Sequence, residues 1–193
     1  MLFASIDIGS NAVRLFFANV FELKGKPVVI LGAGGAARAV IYGLLKEGAN
    51  VLGILNRTIG AAEKLAEEFS KMFDVKIEAY SSENLADVLP FKDKLTDAIL
   101  IQTTSIWTLQ PDILAEDAEK LCPAEYVKYF STVMDIVYKP ILTPLLKTAQ
   151  SLGKKVITGD RMFLFQAAEQ FKLFTEKEPP MEVMENILAE NLI

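Results

Sequence analysis

Short apolar runs alternate along this chain with segments whose apolar positions recur at helical spacing. Val28-Val29-Ile30-Leu31 and Val51-Leu52-Gly53-Ile54-Leu55 read as buried strands. Between them Ala37, Val40, Ile41, Leu44 and Leu45 fall on one stripe of a helix over 36–47, and Gly48 stands where a residue in the left-handed conformation commonly follows a helix end. A second helix is predicted over 61–73 through Ala62, Leu65, Ala66, Phe69 and Met72. Val75, Ile77 and Ala79 alternate with charged residues, as on an edge strand. Buried strands at 98–101 and 133–137, a helix over 143–152, a short strand at Val156-Ile157 and two helices within 160–193 complete the series.

Strand and helix in alternation predict an α/β fold, a mostly parallel sheet with helices on both faces. Residues 1–22 depart from this pattern. Residues 3–8 are strand-like, Gly9-Ser10-Asn11 is a turn signal and 12–21 form a second apolar run, which predicts an added N-terminal β-hairpin. The expected organisation is a hairpin segment over 1–23 and a Rossmann-type domain over 24–193, joined at Leu23-Lys24-Gly25-Lys26-Pro27.

Composition narrows the chemistry. A chain of 193 residues, 51% hydrophobic, has material for one sizeable core and no room for two catalytic domains. Twenty Lys and Arg against twenty-five Asp and Glu leave a net charge of -5, which argues against a sequence-independent grip on nucleic acid. The single Cys122 permits no internal disulfide. Zero histidines remove the commonest zinc ligand and the histidine-dependent nucleophile systems, so no metal site is expected. The start of the chain carries no basic leader, and no run of about 18 uncharged apolar residues occurs, so a soluble, cytoplasmic protein away from the membrane is expected.

Gly32-Ala33-Gly34-Gly35-Ala36-Ala37 follows the first strand and opens the first helix, the context a dinucleotide fingerprint requires. One glycine permits the tight turn, another lets a pyrophosphate approach the backbone, and Ala37 packs the helix on the strand. The alternative is a tight strand-to-helix turn without a ligand. At the end of the second strand Asn56-Arg57-Thr58 replaces the acidic residue usual for NAD, so Arg57 can pair with a 2′-phosphate and NADP is favoured. A solvated surface arginine is the other reading of Arg57.

Taken with Lys24-Gly25-Lys26, Thr103-Thr104-Ser105, Asp135-Ile136-Val137-Tyr138-Lys139-Pro140, Thr143-Pro144-Leu145-Leu146 and Gly159 through Met162 to Gln166-Ala167-Ala168, these blocks resemble shikimate dehydrogenase over about residues 24–193. The resemblance implies a sheet of order 3-2-1-4-5-6 and the cofactor half of an oxidoreductase that reduces 3-dehydroshikimate with NADPH. It also implies that Gly32 to Ala37 cradle the pyrophosphate and that Asn56, Arg57 and Thr58 hold the 2′-phosphate. Thr104, Ser105, Ile136 and Gly159 would line the ribose and nicotinamide side, and Tyr138 and Gln166 would face shikimate, bound weakly if at all. On composition alone Ile136 is strand core and Gln166 an exposed helix position.

The departures bear on activity. The family's proton-transfer Lys and Asp sit in Asn-Val-Thr-x-Pro-x-Lys and Asn-Thr-Asp segments, neither of which occurs here, so no catalytic residue is assigned and the chain alone is expected to be inactive. Gln102 stands for a family Asn, Trp107 for a glycine near the nicotinamide, and Glu176 for a glycine of the Thr-Gly segment. Separately, Ser5-Ile6-Asp7-Ile8-Gly9-Ser10-Asn11-Ala12-Val13-Arg14-Leu15 resembles the opening phosphate loop of the exopolyphosphatase and guanosine pentaphosphate phosphatase family, which implies a metal-dependent role for Asp7; a purely structural hairpin is the alternative. The competing reading of the whole is a recombined or designed scaffold that folds without nucleotide. Apolar Phe163, Phe165, Phe171 and Phe174 are expected to be uncovered, with the hairpin packing over them and a homodimer forming.

Overall fold

The computed structural model describes residues 23–82, 95, 97–106 and 122–191. Among them six parallel strands, β1 (Pro27–Leu31), β2 (Asn50–Asn56), β3 (Glu78–Ser81), β4 (Ile99–Gln102), β5 (Thr132–Asp135) and β6 (Lys155–Ile157), form one sheet in the order β3-β2-β1-β4-β5-β6. The helices are α1 (Gly35–Lys46), α2 (Ile59–Phe73), α3 (Ala124–Val127), α4 (Pro144–Ser151), α5 (Asp160–Thr175) and α6 (Met181–Asn191). This is the doubly wound Rossmann-type order that the resemblance implies. The hairpin expected over 1–22 lies outside the described residues.

Parallel strands covered on both faces read as continuous apolar runs, and β4 and β5 are buried throughout. Successive side chains serve opposite faces. Val28 and Ile30 join Val40, Ile41 and Leu44 of α1 and Leu65 and Phe69 of α2 in one core cluster. Val29 and Leu31 join Leu145, Leu146 and Ala149 of α4 in the other. Helix α1 ends as the glycine predicts. Gly48 takes φ 77° and donates to Leu45 O at 3.1 Å, while Ala49 donates to Leu44 O at 3.0 Å, the paired closure of a Schellman end.

Two predicted strands differ from those observed, each for a local reason. The stretch at 75–77 is connection, and β3 starts at Glu78. Asp74 turns left-handed at φ 55°, after which Ser70 takes the next two odd-numbered amides, Val75 N–H to its carbonyl at 3.1 Å and Ile77 N–H to its hydroxyl at 3.1 Å. Those amides leave the ladder. The strand expected through Val137 stops at Asp135, because Val137 N–H donates to Asp135 Oδ1 at 2.9 Å and bends the chain.

Helices α5 and α6 have outward apolar surface. Leu164 and Ala168 are the residues of α5 that are buried, and α6 has none. Phe174 is 77% exposed and Leu173 56%, with Val183 and Ile187 of α6 similarly open. Of the four phenylalanines expected to be uncovered, Phe163 and Phe174 are exposed and Phe171 is half-buried, whereas Phe165 packs against the first core cluster. An ion pair between Arg161 and Glu185, at 3.0 Å, ties the two helices.

Glu176 ends α5 at φ 57°, with its N–H on Lys172 O at 2.9 Å. A residue with a Cβ pays steric strain in this left-handed well that glycine does not. Glu176→Gly should therefore raise stability by about 1 kcal/mol, less the extra chain entropy of glycine, read as a higher urea midpoint at unchanged slope.

Candidate functional site

Every strand points its carboxyl end to the same edge, and β1 and β4 lie side by side where the chain order reverses. In open α/β sheets this switch point is where a ligand crevice forms. The turn from β1 into α1 is set by Gly32, at φ 114°, whose N–H donates to Leu55 O at 2.7 Å. A Cβ there would stand 2.6 Å from Thr103 Oγ1 and 3.0 Å from Thr104 Cγ2. Gly34 caps α1 without any side-chain bond, and a Cβ on Gly34 or Gly35 would meet nothing within 4 Å. Gly34, Gly35 and Ala36 are exposed, Ala33 packs on the core, and Ala37 is fully buried against the strands. The turn thus presents a bare helix N-terminus, with its unpaired amides and partial positive charge, to open space.

One strand over, Asn56 Nδ2 donates to Thr58 O at 2.9 Å and closes a small loop at the end of β2. Arg57 and Thr58 are exposed at its tip, and Arg57 makes no ion pair among the described residues. Arg38 of α1 is taken by Glu68 of α2, so the two arginines on this side are not equivalent.

On the other side of the glycine turn a cleft of about 260 Å³ opens at the ends of β4 and β5. It brings together Ala36, Thr104, Ser105, Ile136, Tyr138 and Gln166, all predicted from sequence. Asn56, Arg57, Thr58 and the glycines of the turn stand outside this cleft. Gly159 acts from behind it: a Cβ there would lie 2.3 Å from Ile136 O and 2.6 Å from Val137 O, so only glycine lets α5 begin against the loop after β5. That contact delivers Met162, Phe163 and Gln166 to the wall.

Thr103, Val137, Met162 and Phe163 complete the lining and were not singled out as site residues from sequence. Tyr138 and Phe163 stack with centroids 4.3 Å apart and planes 18° from parallel, forming an aromatic wall. The spacing of Phe163 three residues before Gln166 on a helix was the available signal. Thr104 Oγ1 is buried in the lining on the β4 side and has no hydrogen-bond partner among the described residues. Such a group costs free energy unless a ligand or water meets it.

Behind the wall lies a polar network that the sequence did not announce. Asp135, fully buried, accepts from Val137 N–H at 2.9 Å and Gln102 Nε2 at 3.4 Å through Oδ1, and from Thr143 Oγ1 at 2.8 Å through Oδ2. Gln102 Nε2 also donates to Thr104 O at 3.0 Å, and its Oε1 accepts from Thr104 N–H.

A family model described as "Shikimate / quinate 5-dehydrogenase" matches residues 16–119, and one described as "Shikimate 5'-dehydrogenase C-terminal domain" matches residues 161–188. The chain belongs to the shikimate/quinate dehydrogenase family. It is 38% identical over 172 residues to the shikimate dehydrogenase (NADP(+)) of Methanopyrus kandleri, covering 89% of this chain and 57% of that protein. It is 38% identical over 184 residues to the Methanocaldococcus jannaschii enzyme of the same name, covering 95% and 62%. A crystal structure of a shikimate dehydrogenase in complex with NADP+ superposes with a TM-score of 0.77 at 32% identity, over 96% of this chain and 62% of that one. The Listeria monocytogenes shikimate 5-dehydrogenase in complex with shikimate and NAD gives 0.79 at 27% identity, over 94% and 62%. The chain therefore spans about three fifths of the length of these relatives. Trp107 and the phosphatase-like segment around Asp7 lie outside the described residues. No described helix is long and apolar enough to cross a membrane.

Glycines that the fold needs and a glycine that it does not can be separated by stability. Gly32→Ala and Gly159→Ala should each cost at least about 2 kcal/mol, from a disfavoured φ with a clash and from a clash with backbone respectively. Gly34→Ala meets open space at an ordinary φ and should cost less than about 1 kcal/mol, a weaker helix cap being its whole penalty. Urea unfolding of the three variants checks the order.

Proposed function

We propose that this chain is the NADP(H)-binding part of a shikimate dehydrogenase-like oxidoreductase. The observation that carries the proposal is the run of complementary features along one sheet edge. Asn56-Arg57-Thr58, the open glycine turn with its bare helix N-terminus, and the cleft with the unmet Thr104 hydroxyl follow one another in strand order 2-1-4-5. At roughly 4.8 Å per strand this edge spans about 14 Å, suited to a dinucleotide lying across it.

The residues fit such a group in its three parts. Arg57 meets a 2′-phosphate with a bidentate charge, and no carboxylate stands at the end of β2 to repel it. The amides at the start of α1 receive the pyrophosphate, and the missing side chain of Gly34 leaves its oxygens room to approach. Thr104, Ser105 and Ile136 border the ribose and nicotinamide, with Gly159 holding Ile136 from behind. Tyr138 and Gln166 stand on the far side of the cleft, where a hydroxylated substrate such as shikimate would face the nicotinamide. When bound, the nicotinamide supplies hydride to a carbonyl or accepts it from an alcohol. This chain's own part is to bind and orient.

Proton transfer needs a positioned acid or base, and among the described residues that line the cleft Tyr138 is the one ionisable side chain. The family's Lys and Asp segments have no counterpart in the 193 residues. The chain alone should hold shikimate-dependent reduction of NADP+ at background, and robust turnover by pure protein would overturn this part of the proposal.

Cofactor binding is tested by thermal unfolding. NADPH at 100 times its dissociation constant should stabilise the chain by about 2.7 kcal/mol, and NADH at the same concentration by less. Arg57→Ala should remove most of the preference for NADP(H) while leaving NAD(H) binding within about twofold, measured by titration. Equal affinity of the unsubstituted chain for both cofactors would sink the NADP assignment.

A further inference from the structure

Gln102 and Asp135 are paired in register at the carboxyl ends of the neighbouring strands β4 and β5, and both are fully buried. The two loops that leave these strands both line the cleft, Thr104 and Ser105 from one and Ile136, Val137 and Tyr138 from the other. Each loop is held from within. Gln102 engages both the amide and the carbonyl of Thr104, which fixes the plane of the chain at the residue whose buried hydroxyl has no partner among the described residues. Asp135 holds the other loop through Val137 N–H, and Thr143 anchors it in turn. Gln102 Nε2 to Asp135 Oδ1, at 3.4 Å, is the side-chain link between the two. The contact is at the long end of a hydrogen bond, so small displacements of either loop break it.

We infer that Gln102 is a positioning residue for the nicotinamide half of the dinucleotide, fixing the separation of the two cleft walls without touching the ligand. This rests on the dinucleotide reading above and deepens it. An apolar residue at 102 would leave the Thr104 amide and carbonyl without these bonds and would release the Asp135 link, while the glycine turn and Arg57 would keep their own supports. The effect is thus confined to one half of the ligand. Binding of the adenosine half depends on β1, β2 and α1, none of which contacts the Gln102 carboxamide through any bond described.

The test compares two probes on the same protein, NADP+ and 2′,5′-ADP, which lacks the nicotinamide and its ribose. Gln102→Leu should weaken NADP+ by about tenfold and leave 2′,5′-ADP within twofold, because a binding wall released by a lost supporting bond costs on the order of one hydrogen bond. Arg57→Ala should show the opposite pattern, weakening both probes together. Gln102→Met, unbranched and similar in length, provides a second apolar variant should the leucine fail to fold, and the melting temperature of each apo variant is read alongside. Parallel loss of both probes, or unchanged NADP+ binding in a folded variant, would overturn the assignment of Gln102 and leave the dinucleotide reading standing. Failure of the unsubstituted chain to bind either probe would overturn both.

Discussion

The buried carboxylate of Asp135 is the interaction on which the carboxyl edge of the sheet depends. A buried carboxyl group must be met by donors, and those that meet it include an amide two residues on, a side-chain amide from the next strand and a hydroxyl eight residues on. Each donor fixes something different. Capture of Val137 N–H ends β5 and turns the chain. Capture of Thr143 Oγ1 places that residue at the start of α4, where its oxygen also accepts from Leu146 N–H at 3.4 Å and Pro144 fills the first helical position. Helix α4 then lays Leu145, Leu146 and Ala149 on one face of the sheet. A strand end, a helix start, a core face and a cleft wall follow from one side chain.

The opposite strategy governs the backbone contacts. At Gly32 and Gly159 two segments approach so closely that a single methyl group would overlap a neighbour, in one case a threonine hydroxyl and in the other a carbonyl. These glycines are internal spacers between elements. Gly34 and Gly35 are different, since their missing side chains face open space and relieve no contact within the chain. Glycine where the protein itself does not ask for it, at a helix start with exposed amides, is the local signature of a ligand that comes close to the backbone. The turn therefore divides into glycines that packing demands and glycines that it does not, a division the spacing alone does not reveal.

The sheet was legible because parallel strands buried on both faces leave unbroken apolar runs, and the helices between them keep a clean 3.6-residue stripe. Their order came from resemblance, since hydrophobic pattern has no memory of which strands are neighbours. Of the candidate site, the residues that the structure gathers in the cleft, Ala36, Thr104, Ser105, Ile136, Tyr138 and Gln166, were legible through a recognisable spacing. The site was illegible where the cleft wall is held by tertiary partners. Gln102 and Asp135 are separated by 33 residues, and each read alone is a polar residue closing a strand. The missed strand boundaries have the same origin, because at Ser70 and at Asp135 a side chain takes backbone amides that propensity assigns to the ladder.

The described residues divide by what they offer along the sheet edge and across the cleft. The groups that suit a dinucleotide sit on one edge of one sheet and depend on neighbours within about a strand's width, so a single domain can assemble them. Across the cleft the described lining is Tyr138, Phe163, Met162 and Gln166, among which only the tyrosine carries an ionisable group. Its ring is stacked on Phe163 and its loop is tied to Asp135, so what the wall offers is shape and a hydrogen bond. The relatives are longer by about two fifths of their length, and α5, which lines the cleft through Met162, Phe163 and Gln166, carries outward apolar surface towards its far end in Leu173 and Phe174. Phe163 belongs to both, exposed on the outward surface of α5 and stacked on Tyr138 in the cleft, so an element that covered Phe163 would also reach the cleft wall.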